Sequence, residues 1–314
     1  MRALLQMRLL VIAATVAVIV VLPSMLDGYH QGLAARVAIY FIAILGLNIL
    51  TGYTGQISIG HGAFMAIGGY TTAILSHDHH MSLLLTLPIA LVISFGVGLL
   101  VGLPALRLSG VYLALATFAF AVSVPQFALK FSKFTGGSNG LQADESYSHL
   151  KLYVVSWACA GISFVLAFLL LRGRIGRAFR ATRDSPVAAA SSGVSLPVYK
   201  TFAFGVSAAY AGVAGSLFVI ATNGFAQPQE FGVTLSLQLL IGAAVAGLGS
   251  LWGVLAGAAF IGLLPTVSAS APLIGSAHGQ DVVFGLIVIL IMLLLPNGVV
   301  GVLARLARMR QARD

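Results

Sequence analysis

Long apolar runs separated by short polar segments dominate this sequence, and they restrict the chain to a helical membrane protein. An α-helix needs roughly 17–25 apolar residues to cross a bilayer, whereas a transmembrane β-barrel shows short alternating segments. Only 8% of the 314 residues are charged and 59% are hydrophobic, and the mean hydropathy is +1.01. Soluble domains carry about 25% charged residues, so an ordinary soluble domain is excluded.

The sequence predicts an all-α polytopic membrane protein with about ten transmembrane helices in a single domain that covers residues 1–314. The predicted spans are Leu9–Leu26, Ala34–Leu50, Ser58–Leu75, Leu83–Leu103, Val111–Leu129, Leu152–Leu171, Tyr199–Ala221, Val233–Leu248, Leu251–Ser270 and Val282–Leu295. Pro23 and Asp27 follow the first apolar run in place of a small-residue cleavage site, which favours a transmembrane helix over a secretory signal. The short eighth and ninth spans could instead form one re-entrant hairpin.

The basic residues predict that both termini lie in the cytoplasm. With ten spans, 13 of the 17 basic residues lie inside: Arg2, Arg8, Arg107, Arg172, Arg174, Arg177, Arg180, Arg183, Lys200, Arg305, Arg308, Arg310 and Arg313. The other four, Arg36, Lys130, Lys133 and Lys151, lie outside, as the positive-inside rule requires. Membrane lipids are therefore a better acidic partner than nucleic acid.

The one cysteine, Cys159, lies in an apolar run, so an intramolecular disulfide is excluded.

The longest predicted cytoplasmic segment covers about residues 172–200 and reads "RGRIGRAFRATRDSPVAAASSGVSLPVYK". Asp184-Ser185-Pro186 indicates a helix start with proline in the first turn, and Gly193 can end that helix. The segment therefore predicts a short helix of small residues, flanked by arginines, on the cytoplasmic face. The alternative is that the arginines merely set the topology.

From Arg180 to Gly193 the segment resembles the cytoplasmic coupling loop of ABC importer permeases, which carries two alanines and a later glycine and docks in a groove of the ATPase subunit. "LNILTGYTGQISIGHGAFMAIGGY", "FTGGSNGL", "GLGSLWGVLAGA" and "LLPNGVVG" resemble motifs of the branched-chain amino acid ABC importer permease family (LivM type). The resemblance covers nearly the whole chain. One departure is that Pro186-Val187, and no acidic residue, directly precede the alanines.

The resemblance implies a transport subunit of the bacterial inner membrane that works with several partners. These are a second permease subunit, in a homo- or heterodimeric pair, two cytoplasmic ATPase subunits and an extracytoplasmic substrate-binding protein. The residues that it implies for ATPase coupling are Arg180, Arg183, Asp184, Ala188, Ala189, Ala190 and Gly193. ATP and Mg²⁺ would be bound by the ATPase subunits, and this chain would bind no cofactor. The sequence contains no P-loop, H-E-x-x-H or G-x-S-x-G motif, in keeping with a non-catalytic role.

A polar interruption between Leu47 and Tyr70 suggests a functional segment, because a break inside a bilayer must be satisfied by protein or water. The candidates for lining a translocation path are Asn48, Thr51, Tyr53, Gln56, Ser58 and His61. A helix that starts near Ser58 would place small and polar side chains on one face. The alternative is a cytoplasmic turn in which His61, the only histidine within a predicted span, is a hydrogen-bonded core residue.

Gly249, Gly253 and Gly257 are spaced at intervals of four residues. On a helix they would share one face and allow the close approach of another helix. That face is the predicted interface with a second permease subunit, and packing within the chain is the alternative.

The histidines of "HDHH", residues 77–80, could bind a metal, but a chance surface cluster is favoured, so no metal site is predicted.

The predicted function is import of branched-chain or related hydrophobic amino acids, driven by ATP hydrolysis on partner subunits. Related importers for urea, short amides or other small organic solutes are the alternative, because a binding protein supplies much of the selectivity in such a system. A secondary transporter is less favoured. Ion-coupled transporters place carboxylates within their spans, whereas the acidic residues here lie in loops or at span ends.

Overall fold

A computed structural model of the chain describes residues 27–108, 110–144 and 147–269, together with residues 285, 286, 289, 293 and 298. Eleven α-helices are numbered here in chain order. They are α1 (Gly28–Leu47), α2 (His61–His79), α3 (Leu83–Ala105), α4 (Val111–Lys130), α5 (Ser132–Thr135), α6 (His149–Arg172), α7 (Arg174–Asp184), α8 (Pro186–Ser191), α9 (Leu196–Ala221), α10 (Val233–Ala246) and α11 (Val254–Ala269). A π-helical turn, Asn48–Tyr53, continues α1, and 3-10 turns cover Gly137–Asn139 and Pro228–Phe231.

Six segments in the described part of the chain are long and apolar enough to cross a membrane. They are Gly28–Tyr53, Leu83–Ala105, Val111–Lys130, His149–Arg172, Leu196–Ala221 and Pro228–Ala246. A shorter apolar helical stretch covers Val254–Leu264. The prediction of an all-α polytopic membrane protein is therefore confirmed.

Seven of the ten predicted spans lie wholly in the described residues, and Leu251–Ser270 does so except for Ser270. Each of these eight spans overlaps a helix. The first, Leu9–Leu26, lies outside the described residues, as does most of Val282–Leu295. Helix α2 begins at His61, three residues after the start of the predicted span Ser58–Leu75. Two backbone N–H groups before that point bond to side chains: Gly60 N donates to Ser58 Oγ (3.2 Å) and Ile59 N donates to Thr117 Oγ1 (3.0 Å).

Helix α9 lies at the centre of the bundle, packed against α1, α2 and α3. Its approach to α2 is so close that a Cβ atom on Gly215 would collide with the carbonyl oxygen of Met65, and one on Gly68 with the backbone of Gly212. Ser216 Oγ also donates to the Gly68 carbonyl across this contact (3.1 Å). Small residues with a buried hydroxyl are a common way to hold two helices together in a membrane.

Loop contacts define two ends of the bundle. At one end, called the Asp144 end, strands β1 (Leu141–Gln142) and β2 (Phe225–Ala226) pair antiparallel, and His80 Nδ1 lies 2.7 Å from Asp144 Oδ2. Helix α6 has 24 residues and therefore runs about 36 Å away from that end. It leads to α7 and α8, which form the Arg183 end.

Candidate functional site

Three segments far apart in the sequence meet at the Arg183 end. They are the π-helical turn after α1, the end of α7 and the turn between α10 and α11. Arg183 Nη1 donates a hydrogen bond to the Gly52 carbonyl (2.9 Å), and Nε donates to Asp184 Oδ1 (2.9 Å). We call Asn48, Gly52, Arg183, Gly249 and Ser250 the Arg183 cluster. It joins the cytoplasmic loop predicted from sequence to the end of a membrane helix.

Within this cluster, Asn48 joins the π-helical turn to the turn between α10 and α11. Its fully buried side chain accepts a hydrogen bond from Gly249 N and donates one to the Ser250 carbonyl, both at 2.8 Å. Gly249 adopts a left-handed backbone conformation (φ 83°), which glycine adopts without steric cost. A Cβ atom on Gly52 would collide with Asn48 Oδ1 and Gly249 N, so this contact requires glycine at position 52.

Helix α8 forms as the sequence predicts. Ser185 Oγ accepts a hydrogen bond from Ala188 N (3.3 Å), and Pro186 occupies the first turn. Gly193 has a left-handed conformation (φ 82°), and the next residue, Val194, donates its N–H to the Ala189 carbonyl (3.0 Å). A serine cap and a left-handed glycine are the expected signals for the two ends of a short helix.

The seven residues assigned to ATPase coupling differ in exposure. Arg183, Asp184, Ala188, Ala190 and Gly193 are exposed. Arg180 donates to the Leu171 carbonyl (3.2 Å) and Arg183 to Gly52, whereas Ala189 is only 3% exposed. The expectation that Ala189 enters a groove of another subunit is therefore corrected. Successive helical residues point about 100° apart, so three consecutive alanines cannot all face outward.

The outward face of α8 is centred on residues that the sequence analysis did not select. Val187 is 78% exposed, and Ser191, one turn later, is also exposed. Both lie on the side opposite Ala189, with Ala188 and Ala190 flanking them. Any protein that docks here meets Val187 and Ser191 first.

All six residues predicted to line a path are buried among other parts of this chain. Thr51 Oγ1 donates to the Gln56 carbonyl (3.1 Å), and Gln56 Nε2 donates to Thr54 Oγ1 (3.0 Å). Ser58 and Asn48 form the bonds given above, and Tyr53 is buried at the end of the π-helical turn. These contacts satisfy the irregular backbone between α1 and α2, which is what a membrane interior demands.

His61 begins α2 and is fully buried. Its Nε2 lies 3.0 Å from Ser207 Oγ, and that hydroxyl donates its single proton to the Gly46 carbonyl (2.7 Å). Ser207 therefore accepts a bond from His61, so Nε2 carries the proton. The other ring nitrogen, Nδ1, is a buried acceptor without a hydrogen-bond partner. The structure thus agrees with the interpretation of His61 as a hydrogen-bonded core residue, and lining of the path stays a prediction.

The geometric basis for the predicted glycine interface is wrong. Helix α11 begins only at Val254, so Gly249 and Gly253 lie in the preceding turn and share no helical face with Gly257. A Cβ on Gly257 would collide with the Gly242 carbonyl in α10. Gly257 therefore packs within this chain, and Gly249 belongs to the Arg183 cluster.

Sequence reasoning missed helix α7, the inward contact of Arg183 and the pairing of Asn48 with Gly249 and Ser250. A helix could have been inferred from the amphipathic pattern of α7, which buries Ala178, Phe179 and Thr182 and exposes Arg174 and Arg177. The two long-range contacts have no local signal. They join residues 131 and more than 200 positions apart.

These features define a multi-pass helical membrane protein with a small-residue helix exposed on a loop that is clamped to the bundle. Comparison with known proteins identifies the family of membrane proteins to which the chain belongs. Residues 29–294 match the model of the family described as branched-chain amino acid transport system / permease component. The chain belongs to this family, and it is a multi-pass protein of the inner membrane.

Two LivM proteins, each described as a high-affinity branched-chain amino acid transport system permease protein, are similar to the chain. The one from Salmonella typhimurium is 32% identical over 283 residues, or 80% of this chain and 66% of that protein. The one from Escherichia coli K12 is 33% identical over 277 residues, or 78% of this chain and 65% of that protein. The chain thus spans slightly less than two thirds of these relatives.

A protein with the same description but the name LivH, also from Salmonella typhimurium, is 25% identical over 285 residues, or 83% of this chain and 91% of that protein. No solved structure matches the chain.

Proposed function

We propose that this chain is the permease subunit of an ABC importer that moves branched-chain or related hydrophobic amino acids into the cell. The observation that carries the proposal is the exposed, capped helix α8 and its connection to α1 through the Arg183–Gly52 hydrogen bond. This arrangement offers a docking surface and a direct contact with a membrane helix. The names of the LivM and LivH relatives support the substrate class.

In this proposal the chain itself carries out no chemistry. ATP and Mg²⁺ are bound and ATP is hydrolysed by two cytoplasmic ATPase subunits, which dock on α8. An extracytoplasmic binding protein delivers substrate at the Asp144 end. A second homologous permease completes the path, and the similarity of this chain to both LivM and LivH of one organism supports a pair of related but different permeases.

We also propose ten spans with both termini in the cytoplasm. Among the described residues, three predicted inner segments meet at the Arg183 end: the turn after α1, the segment 172–200 and the turn between α10 and α11. Gln56 Nε2 also reaches the Lys200 carbonyl there (3.4 Å). Predicted outer segments meet at the Asp144 end, as the β1–β2 pairing shows for two of them. These groupings agree with the charge distribution and support the proposed topology.

Cysteine labelling is the first test, and it addresses the topology. In a background in which Cys159 is replaced by alanine, Ser138→Cys and Ser191→Cys place exposed thiols at the Asp144 end and on α8. A membrane-impermeant maleimide added to intact spheroplasts should label residue 138 and should reach residue 191 only after permeabilisation. Labelling of both residues, or of residue 191 alone, in intact spheroplasts would contradict the topology.

The second test measures transport by the whole complex. Membranes that contain this chain and the subunits that co-purify with it should take up radiolabelled leucine only when ATP and the cognate binding protein are both present. Parallel uptake of urea and acetamide serves as the control for the alternative substrates. Uptake of urea without leucine would overturn the substrate class, and leucine uptake driven by an ion gradient without ATP would overturn the importer class.

A further inference from the structure

A cavity of about 370 Å³ lies between α4 and the segment that leads into α10. Ala121, Pro125 and Leu129 line it from α4 and share a face of that helix, since they are spaced at intervals of four residues. The opposite wall belongs to the 3-10 turn and the first residues of α10: Pro228, Gln229, Gly232 and Val233. Helix α4 ends at Lys130 and the 3-10 turn follows β2, so the cavity lies towards the Asp144 end. Its volume is within the range of about 300–1,000 Å³ that is usual for small-molecule sites.

Pro125 leaves a backbone acceptor without its usual donor in the wall of this cavity. Proline has no N–H and cannot complete the helical hydrogen bond to the carbonyl four residues earlier, which here belongs to Ala121. Ala121 is fully buried, and Pro125 and Pro228 are also buried. The three residues form the inner part of the cavity lining. An acceptor of this kind favours a ligand that carries a hydrogen-bond donor.

Two carboxamide side chains at the cavity also lack partners. Gln126 on α4 and Gln229 in the 3-10 turn both line the cavity, and both are exposed. Neither side chain forms a hydrogen bond with any residue that the structure describes. Both residues belong to segments of membrane length, Val111–Lys130 and Pro228–Ala246, where lipid tails cannot satisfy polar groups. The two carboxamides therefore favour a polar ligand over a lipid acyl chain.

The remaining lining residues restrict the charge and the shape of such a ligand. Among the described residues, no charged side chain lines the cavity, and Val122, Leu129 and Val233 give it an apolar surface. A ligand with a net charge would leave water without a counter-charge, which is costly. A zwitterion has no net charge, and a carboxamide can accept a hydrogen bond from an ammonium group and donate one to a carboxylate. The lining thus matches an α-amino acid with an uncharged apolar side chain, whereas a small polar solute such as urea would leave the apolar surface uncovered.

We propose that this cavity is a contact site for neutral, apolar amino acids on their way through the permease. The carboxamides of Gln126 and Gln229 bond to the zwitterionic head group, and the carbonyl of Ala121 accepts a further bond from the ammonium group. The apolar side chain of the substrate lies against Val122 and Val233. This inference rests on the proposed function and adds a place in the chain where the size and charge of the substrate are selected. None of the six residues predicted from sequence to line a path contributes to the cavity.

The first test fills the cavity at Gly232. This residue has an extended backbone conformation (φ −71°, ψ −170°), and the one described atom that an added Cβ would meet within 4 Å is the Gln229 carbonyl oxygen, at 3.6 Å. Gly232→Val therefore narrows the cavity without straining the backbone. Purified complexes in proteoliposomes take up radiolabelled leucine and valine delivered by the same binding protein, so a change in the leucine-to-valine ratio originates in the permease. One methylene group changes binding in an apolar pocket by about 10–200-fold, and we expect the ratio to fall by about tenfold.

Two further glycine variants frame this result. Gly232→Ala adds less volume and should lower the ratio by a smaller factor, which keeps the test informative if the valine variant assembles poorly. Gly161→Val on α6 is the matched control, because an added Cβ there meets no described atom within 4 Å and the residue does not line the cavity. It should keep the wild-type ratio.

The second test removes the two carboxamides. Gln126→Leu and Gln229→Leu keep a similar side-chain volume but lose the hydrogen-bonding groups. Each should lower the uptake of leucine and of valine alike by about tenfold, the size expected for a hydrogen bond to a charged group, while ATPase co-purification is unchanged. Gln142→Leu is the control, since Gln142 is an exposed carboxamide on β1 that does not line the cavity. It should transport as the wild type does.

Several outcomes would overturn the inference. An unchanged leucine-to-valine ratio in both Gly232 variants would show that the cavity selects nothing, and normal uptake by both glutamine variants would remove the head-group contact. Loss of bound phospholipid from Gly232→Val in mass spectra, with the ratio unchanged, would identify a lipid groove. Absence of ATP-driven leucine uptake by the wild-type complex would instead refute the proposed function, so the wild-type assay distinguishes the two failures.

Discussion

Replacement of Arg183 by alanine is expected to stop ATP-driven uptake while the ATPase subunits remain bound. The change removes the hydrogen bonds from Arg183 to the Gly52 carbonyl and to Asp184 but leaves the exposed face of α8, centred on Val187, unaltered. Docking should therefore persist, and the movement of α8 should no longer be transmitted to α1. Coupling free energies of about 1–3 kcal/mol correspond to roughly 5–150-fold effects, so we expect uptake to fall at least about tenfold.

The matched control is Arg177→Ala on the same helix. Arg177 is exposed, and its removal takes the same charge from the same surface. The measurements are leucine uptake, ATPase co-purification and stimulation of ATP hydrolysis by loaded binding protein. Arg183→Ala should lose the first and third and keep the second, whereas Arg177→Ala should keep all three. Normal uptake by Arg183→Ala would show that this contact transmits nothing.

The Arg183 cluster can also be disturbed at Gly52. Gly52→Ala adds a methyl group where Asn48 Oδ1 and Gly249 N already lie. The variant should reproduce the loss of uptake with ATPases attached. Gly161→Ala on α6 is the control for a glycine change, since an added Cβ there meets no atom within 4 Å. Agreement between Gly52→Ala and Arg183→Ala would locate the effect in the Arg183 cluster.

Features fixed by neighbouring residues were predictable from the sequence, as α8 illustrates. Ser185 caps the helix through a backbone N–H three residues away, and Gly193 ends it with a positive φ. Both signals operate within one or two turns, so they could be recognised without tertiary structure. The helical spans were predictable for a similar reason, because apolar length alone sets them.

The glycine repeat shows why other predictions failed. A spacing of four residues has the same appearance whether the glycines share a helical face or form a turn. Gly247 and Gly249 both have a positive φ (88° and 83°). Helix α10 therefore ends at Ala246, and α11 begins only at Val254, after both glycines. In the structure Gly249 lies in a turn, where its N–H bonds to the side chain of Asn48, 201 positions earlier in the chain. Local patterns contain no information on such a partner.

The polar stretch after α1 was recognised as unusual, but its partners were not predictable. Asn48, Gln56 and His61 bond to the α10–α11 turn, to Lys200 and to Ser207. A membrane interior requires that irregular backbone and polar side chains be satisfied, and either water or protein can do so. The sequence could not show that other helices of the same chain fill this role.

The second large effect is expected at the outward face of α8. Val187→Glu should abolish uptake by releasing the ATPase subunits, since it places a carboxylate at a position of the helix that is 78% exposed and lies opposite Ala189. Burying an unpaired charge in a protein contact costs about 3–5 kcal/mol, which corresponds to at least about a hundredfold loss of affinity. Val198→Glu is the control, because Val198 is 62% exposed and lies in the same segment 172–200 but not on α8. Membrane levels of both variants should match the wild type.

The two phenotypes together separate docking from transmission. Val187→Glu should lose both the ATPases and uptake, whereas Arg183→Ala should lose uptake alone, and co-purification on an affinity-tagged permease distinguishes them. Gly193→Val should resemble Val187→Glu, because a β-branched residue does not tolerate φ 82° and would change the end of α8. The added Cβ itself meets no atom within 4 Å, so lack of space would not explain such a result. If Val187→Glu and Gly193→Val both transport normally with ATPases bound, α8 is not the docking element, and the importer proposal loses the observation that carries it.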